Sequence, residues 1–408
     1  MRIMANPARG GERLYFADYA RGGAMMLAVI AHVLATFTPG VELFLPVTMM
    51  ATPTFLAVFG MMVEVVYLRK IREGADAGPV RVRLLTRALV CYGAFLIISL
   101  STLVGGRATL AELATDIVTG NTLYGPILIA YAVLLAALAL LLPLAGRFGS
   151  AGVFIVVGLA WAARLVVDAL DPVPNAFWQG VFGHGHGAAP SILPAITFVW
   201  FGMLLAEIFT GRRSAAWLFA IVVPALALVS AVLALSPFAM SPGRLLLHLR
   251  YLNDPVYYAY GFVAATLALG LAWWAQRRFG PEKLAFLGTF GTASLFFYVT
   301  ANAGLNLLPE SSATLPPAIG IGVGVLFLAG MTALAYDWVA PVSRVDRLLF
   351  GLPKRAVERF VALSTGVARR IIGELDAFPW HRVIAPPRDR QAGPVRQGQP
   401  ERMRDQTH

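Results

Sequence analysis

Two side chains near the start of the chain are of types that can hold an anion and move a proton: Arg21 and His32, within DYARGGAMMLAVIAHVLATF (18–37). An imidazole titrates near neutrality, so it can act as general base or acid without a large shift. A guanidinium binds phosphate through two parallel hydrogen bonds. The two lie eleven residues apart, which in a helix at about 100° per residue is three turns plus roughly 20°, so they share a face. At about 1.5 Å per residue they are separated by roughly 16 Å along the axis. Asp18, one turn before Arg21, can orient the guanidinium through a local ion pair. Gly22, Gly23 and Ala24 keep the adjoining surface small, so another helix or a ligand can approach the backbone.

The element that must carry this pair is almost wholly apolar, and so is most of the chain. Of 408 residues, 58% are hydrophobic and 13% charged, with a mean hydropathy of +0.70; soluble globular proteins carry about 25% charged residues. These values specify an all-α, polytopic membrane protein. Spanning hydrocarbon takes about 20 apolar residues, and such runs recur at roughly 19–38, 44–68, 86–105, 123–145, 149–170, 190–210, 214–235, 256–275, 284–306 and 316–338, about ten helices. The first run is too long for a cleaved leader and lacks a small-residue cleavage site, so it is expected to be a span. The single cysteine, Cys91, excludes an intramolecular disulfide and gives no support to thiolate ligation of a metal.

The formal charge of +11 reads as topology rather than as nucleic-acid binding, because excess Lys and Arg mark cytoplasmic loops. Basic residues fall in alternate loops: Arg2, Arg9 and Arg13 before the first span, then Arg69, Lys70, Arg72, Arg81, Arg83 and Arg87, then Arg147, Arg212 with Arg213, Arg277 with Arg278, and the C-terminal segment. Both termini are therefore expected in the cytoplasm. Arg107, Arg244 and Arg250 are exceptions to the pattern. The chain divides into a membrane domain, 1–342, and a basic tail, 343–408. Within the tail, residues of about 354–375 have the spacing of an amphipathic helix suited to an anionic lipid surface, and the Pro/Gln/Arg-rich end is expected to be disordered.

The stretch D-Y-A-R-G-G-A-M-M-L-A-V-I-A-H resembles the opening motif of the acyltransferase 3 family of integral-membrane O-acyltransferases, with ten residues between the Arg and the His. PTFLAVFGMMVEVVYLRKIREG and VRVRLLTRALVCYGAF resemble the family's second helix and basic loop, closest to the OpgC-like branch that adds succinyl groups to periplasmic glucans. LGTFGTASLFFYVTANAGL is similar to its late Leu-Gly, Ser-Leu and Tyr pattern, at Gly288, Ser294 and Tyr298. The likeness covers roughly residues 13–340, and its first motif is the specific one. It implies that His32 transfers the proton, that Arg21 supports the donor near the cytosolic entrance, and that an acetyl or succinyl group passes from acyl-CoA, bound only as co-substrate, to a hydroxyl of a cell-envelope glycan or glycolipid. Two positions depart: Phe59 and Gly60 stand where many members have Ser-Gly, and Thr300, Ala301 and Asn302 where many have a His after the Tyr.

For the donor's phosphates, Arg21, Arg83 and Arg87 are the candidate cations. Trp178, His184, Asn253, Asp254 and Tyr257, with Tyr251 and Tyr258, are candidates for an outer vestibule offering aromatic faces and hydrogen bonds to a sugar. His184 and His186 form a Gly-flanked H-x-H, but without a carboxylate or cysteine partner no metal site is expected. Glu64 is expected to pair with Arg21 or Arg87 and Glu207 to reach the interface by snorkelling, while the spacing of Arg164 and Asp168 fits an intrahelical pair and a substrate contact equally. A rival from another class is a transporter or flippase in which His32 relays protons. Among enzymes, the rival is the other multi-helix acetyl-CoA-dependent family, which acetylates amino sugars across a membrane.

Overall fold

A segment removed from water must satisfy its own backbone polar groups, and a helix does so within one run of chain. The computed structural model describes residues 14–38, 44–120, 122–173, 175, 177–185, 190–236, 241–309, 315–339 and 344–377, with no strand among them. In order the elements are α1 (Tyr15–Phe37), α2 (Leu45–Thr48), α3 (Ala51–Met62), a π-helical turn (Val63–Leu68), α4 (Arg69–Arg72), α5 (Ala77–Val104), α6 (Leu110–Thr119) and α7 (Pro126–Leu170). A second π-helical turn (Trp178–Phe182) is followed by α8 (Ile192–Phe209), α9 (Ala216–Leu235), α10 (Pro242–Tyr251), α11 (Pro255–Phe279), α12 (Ala285–Leu307), α13 (Pro317–Val339) and α14 (Arg344–Ala377).

Helix occupies each of the ten expected spans. Eight are long and apolar enough to cross a membrane, so the chain is an all-helical, multi-pass membrane protein. Of the other two, Pro126–Leu142 is apolar but shorter, and α12 dilutes its apolar run with Ser294, Tyr298, Asn302 and Asn306. The fourth and fifth spans are the two arms of α7, which bends at Gly149, where φ is +58°. That backbone region is open to glycine because it has no Cβ.

Lipid is as apolar as leucine, so close packing and polar contacts between helices, rather than the hydrophobic effect, hold such a bundle together. Here α1 packs chiefly on α12 and α3, α5 on α7 and α12, and α3 on α8. One end gathers the start of α1 with the basic loops: Phe16 meets Phe209, ring centroids 5.1 Å apart, and Tyr19 donates to the Pro281 carbonyl at 3.2 Å. At this end Glu64, fully buried, pairs with Arg72 and Arg212, not with the expected Arg21 or Arg87. The π-helical turn that opens beside Glu64 leads directly into α4, so Arg72 folds back onto it. Glu207 does not snorkel; its side chain is 9% exposed and accepts from Arg213 at 2.7 Å.

The tail helix begins earlier than its pattern suggested and is anchored to α5. Arg81 pairs with Asp376, Thr365 lies 3.5 Å from Thr86, and Ala368 and Ile372 are buried against the core. Val357, Leu363, Val367 and Ile371 stay exposed beside Arg359, Arg369 and Arg370. Residues 378–408, including the end expected to be disordered, lie outside the described residues.

Candidate functional site

Gly22 and Gly291 let α1 and α12 touch backbone to backbone. A Cβ on Gly22 would come within 2.9 Å of the Gly291 nitrogen and the Leu287 carbonyl, and one on Gly291 would collide with the Asp18 carbonyl. From that contact the two helices run together toward the other end of the bundle, where His32 of α1 meets Asn302 of α12.

His32 Nδ1 lies 2.6 Å from Asn302 Oδ1. The Asn302 amide nitrogen donates to the Tyr298 carbonyl at 2.8 Å. A carbonyl only accepts, so the amide must present its nitrogen to Tyr298 and its oxygen to the imidazole. His32 therefore donates from Nδ1, and in the neutral ring the lone pair sits on Nε2. That nitrogen has no hydrogen-bond partner among the described residues. The fully buried Asn302 thus fixes both tautomer and ring plane without adding a charge inside the membrane.

Tyr124 closes the other side. Its ring stacks on His32, centroids 4.3 Å apart and planes 27° from parallel, and its hydroxyl lies 3.0 Å from Thr36 Oγ1. The Tyr124 backbone has φ +63°, a conformation that costs a non-glycine residue on the order of 1 kcal/mol or more and persists where surroundings over-determine it. The over-determination is visible: Tyr298 donates its hydroxyl to the Tyr124 carbonyl at 2.7 Å, and Tyr298 in turn meets the His32 ring edge-on at 6.0 Å.

His32, Tyr124 and Tyr298 border a cavity of about 580 Å³, a size that suits a ligand. Along α1 its wall is Ala24, Met25, Ala28, Ala31, His32 and Ala35, and elsewhere it takes in Thr48, Thr52, Tyr124, Arg250, Tyr251 and Tyr298. The α1 residues recur every three or four positions, and Arg21 continues the same stripe one turn beyond Ala24, as the shared face of the pair requires. Arg21 is held by Asp18 at 2.9 Å with its side chain 24% exposed, and its buried Nε has no hydrogen-bond partner among the described residues. Arg83 and Arg87 lie exposed on α5. Nearby, the Tyr131 ring packs on Phe55 and Phe59, and Phe55 lines the cavity.

Of the seven residues expected in an outer vestibule, Tyr251 lines this cavity and the other six do not. Trp178 packs on Phe177 and Phe182, centroids 5.1 and 5.4 Å away. His184 has Nδ1 on Asp168 at 3.0 Å and Nε2 on the Pro172 carbonyl at 3.1 Å; His186 lies outside the described residues. Asn253, 1% exposed and at φ +49°, accepts from the Ser191 amide at 2.9 Å and the Tyr258 hydroxyl at 3.1 Å. Asp254 caps α11 through the Val256 amide at 2.8 Å. Tyr257 is completely buried. Arg164 bonds the Leu252 carbonyl at 2.7 Å and the Asn253 carbonyl, and its intrahelical pair with Asp168 forms at 3.4 Å. Arg164, Asn253 and Asp254 thus brace the corner between α10 and α11.

Asn302, Tyr124 and Arg250 were not among the expected site residues. One signal for Asn302 was present: Ser294, Tyr298, Asn302 and Asn306 recur at every fourth position of an apolar helix, which makes a polar stripe. Asn306 uses that stripe to reach α5, donating to Ser101 at 2.9 Å. For Arg250 the signal was its breach of the charge pattern. No protein-family model matches this chain, and no curated protein matches it.

Proposed function

We propose that the protein is a membrane-bound O-acyltransferase of the acyltransferase 3 kind, moving an acyl group from a cytoplasmic acyl-CoA to a hydroxyl of a cell-envelope glycan or glycolipid across a bacterial inner membrane. The observation that carries this reading is the His32 imidazole, oriented by Asn302 so that Nε2 carries the lone pair at the wall of a cavity of ligand-binding size. The acceptor hydroxyl loses its proton to Nε2 as its oxygen bonds to the thioester carbonyl carbon. The tetrahedral intermediate then collapses, the carbon–sulfur bond breaks, and the departing thiolate takes the proton back from Nε2. General-base assistance of this kind is worth about 10²- to 10⁴-fold in rate. Arg21, at the end of the α1 stripe farthest from His32, and Arg83 and Arg87 of α5 are the cations for the donor's phosphates. The acyl-CoA is consumed as a substrate, so the reading needs no tightly bound cofactor.

Mass spectrometry of envelope polysaccharides and lipids tests it, in cells carrying the wild-type gene, no gene, or His32→Ala. The expected result is an ester-linked acyl mass present only with the wild type, at equal protein level in the membrane for both forms. Unchanged acylation in all three strains overturns the reading. A change in bulk glycan or solute movement without loss of acyl esters favours the transporter.

A further inference from the structure

Inside an apolar bundle a threonine hydroxyl ordinarily bonds back to the carbonyl one turn earlier. Thr36, Thr86, Thr266 and Thr300 do so here, at 2.8 to 2.9 Å. Thr52, in the first turn of α3, does not: among the described residues nothing hydrogen-bonds its hydroxyl. Nor is Thr52 Oγ1 one of the buried oxygens left without a partner. The residue is half-buried and lines the His32 cavity, so the hydroxyl opens onto that space. Other hydroxyls of the wall are committed elsewhere. Tyr298 donates to the Tyr124 carbonyl at 2.7 Å, Thr48 donates to the Leu45 carbonyl at 3.2 Å, and Tyr124 lies 3.0 Å from Thr36 Oγ1. Thr122 Oγ1 is buried, and Arg250 and Tyr251 have contacts within the protein. Thr52 therefore brings a donor, and His32 Nε2 an acceptor, to one chamber on two helices, α3 and α1, that pack on each other.

We infer that Thr52 is a second catalytic residue: its hydroxyl donates a hydrogen bond to the thioester carbonyl oxygen as that oxygen gains negative charge, while His32 Nε2 takes the acceptor's proton. The inference rests on the acyl-transfer reading. A base alone leaves the charge of the tetrahedral intermediate uncompensated, and a donor fixed where that charge develops is worth more in a low-dielectric site than in water. A hydroxyl brings no buried charge into the empty chamber, and its bond to an oxyanion is roughly twice as strong as its bond to a neutral carbonyl. That gain, made in the transition state and not in the ground state, raises kcat. When the carbon–sulfur bond breaks, the carbonyl re-forms and the bond from Thr52 weakens again, so the residue ends each turnover unchanged.

The test uses the full-length protein in liposomes. Acetyl-CoA or succinyl-CoA with a labelled acyl group is the donor, an envelope extract from cells lacking the gene is the acceptor, and ester-linked label is counted per folded molecule. Thr52→Val keeps the shape and removes the hydroxyl; it should lower kcat roughly 10²-fold with the KM for the donor little changed. Thr52→Ser should retain most of the wild-type rate. If Thr52→Val fails to fold, Thr52→Ser against Thr52→Ala decides, because those two differ by the hydroxyl alone and the same roughly 10²-fold gap is expected between them. A wild-type kcat in Thr52→Val, a loss confined to KM, or an equal loss in Thr52→Ser overturns this inference and leaves the acyl-transfer reading standing. Absence of ester-linked label from the wild type overturns the acyl-transfer reading, and this inference with it.

Discussion

His32 and His184 each place Nδ1 on a side-chain oxygen of another residue, and they differ in what the second nitrogen meets. Nε2 of His184 lies against the Pro172 carbonyl, so both of its ring nitrogens face acceptors and neither offers a lone pair to a substrate. Nε2 of His32 has no protein partner among the described residues and belongs to a ring that walls a cavity. A histidine held by two acceptors is a brace; a histidine held by one is a brace on one side and a base on the other. The partners fit these roles. Asp168 and Pro172 tie the end of α7 to the chain that follows it, whereas Asn302 fixes a tautomer.

The largest separation between the two regions should come from removing each ring. His32→Ala is expected to lower acyl transfer per folded molecule by at least about 10²-fold, with a cost of about 1–3 kcal/mol in stability because the buried Asn302 Oδ1 loses its donor. His184→Ala should cost stability alone. It deletes a ring that is 9% exposed together with its bonds to Asp168 and the Pro172 carbonyl, which costs about 0.5–3 kcal/mol, while turnover per folded molecule stays at the wild-type level. Parallel assays of acyl transfer and thermal melting in the same membranes check both. If His184→Ala lost turnover without losing stability, the distinction drawn from the second nitrogen would be wrong.

Asn302→Leu should fall between these. Without the Oδ1 acceptor, His32 is no longer confined to the tautomer with a basic Nε2, and partners that orient a reactive ring are typically worth 10- to 100-fold. The expected signature is a fall in kcat of about that size with KM little altered, because Asn302 does not line the cavity and so contributes no substrate contact. A rise in KM with kcat unchanged would show that Asn302 acts by shaping the cavity instead.

How far this site could be read from sequence follows from how local each part is. The spans were legible because about 20 apolar residues in a row are a local property. The α1 stripe was legible for the same reason: Arg21, Ala24, Ala28, His32 and Ala35 follow a helical period, and the structure lines the cavity with its last four. Asn302 stands 270 positions from His32, and what joins them is the backbone approach at Gly22 and Gly291, a packing fact with no local pattern. Aromatic and polar residues between α10 and α11 read equally well as sugar contacts and as a brace, because composition does not report which way a side chain turns. Glu64 shows a similar limit. That it needed a cation was readable from its burial in an apolar run, but the π-helical turn that delivers Arg72 rather than Arg21 was not.

The smallest effect is expected where the brace already meets water. Asp168 is 39% exposed and holds His184 at 3.0 Å and Arg164 at 3.4 Å. Asp168→Asn removes the charge but keeps the shape and one acceptor, and an ion pair this accessible contributes up to about 1 kcal/mol. Arg164 would keep its bonds to the Leu252 and Asn253 carbonyls, so the corner that follows Arg250 should stay in place. The variant should melt slightly earlier and transfer acyl groups at the wild-type rate. If it lowered acyl transfer as much as His32→Ala, the brace would have to be counted part of the chamber, because Arg164 and Asp168 would then be setting the wall that α10 contributes to it.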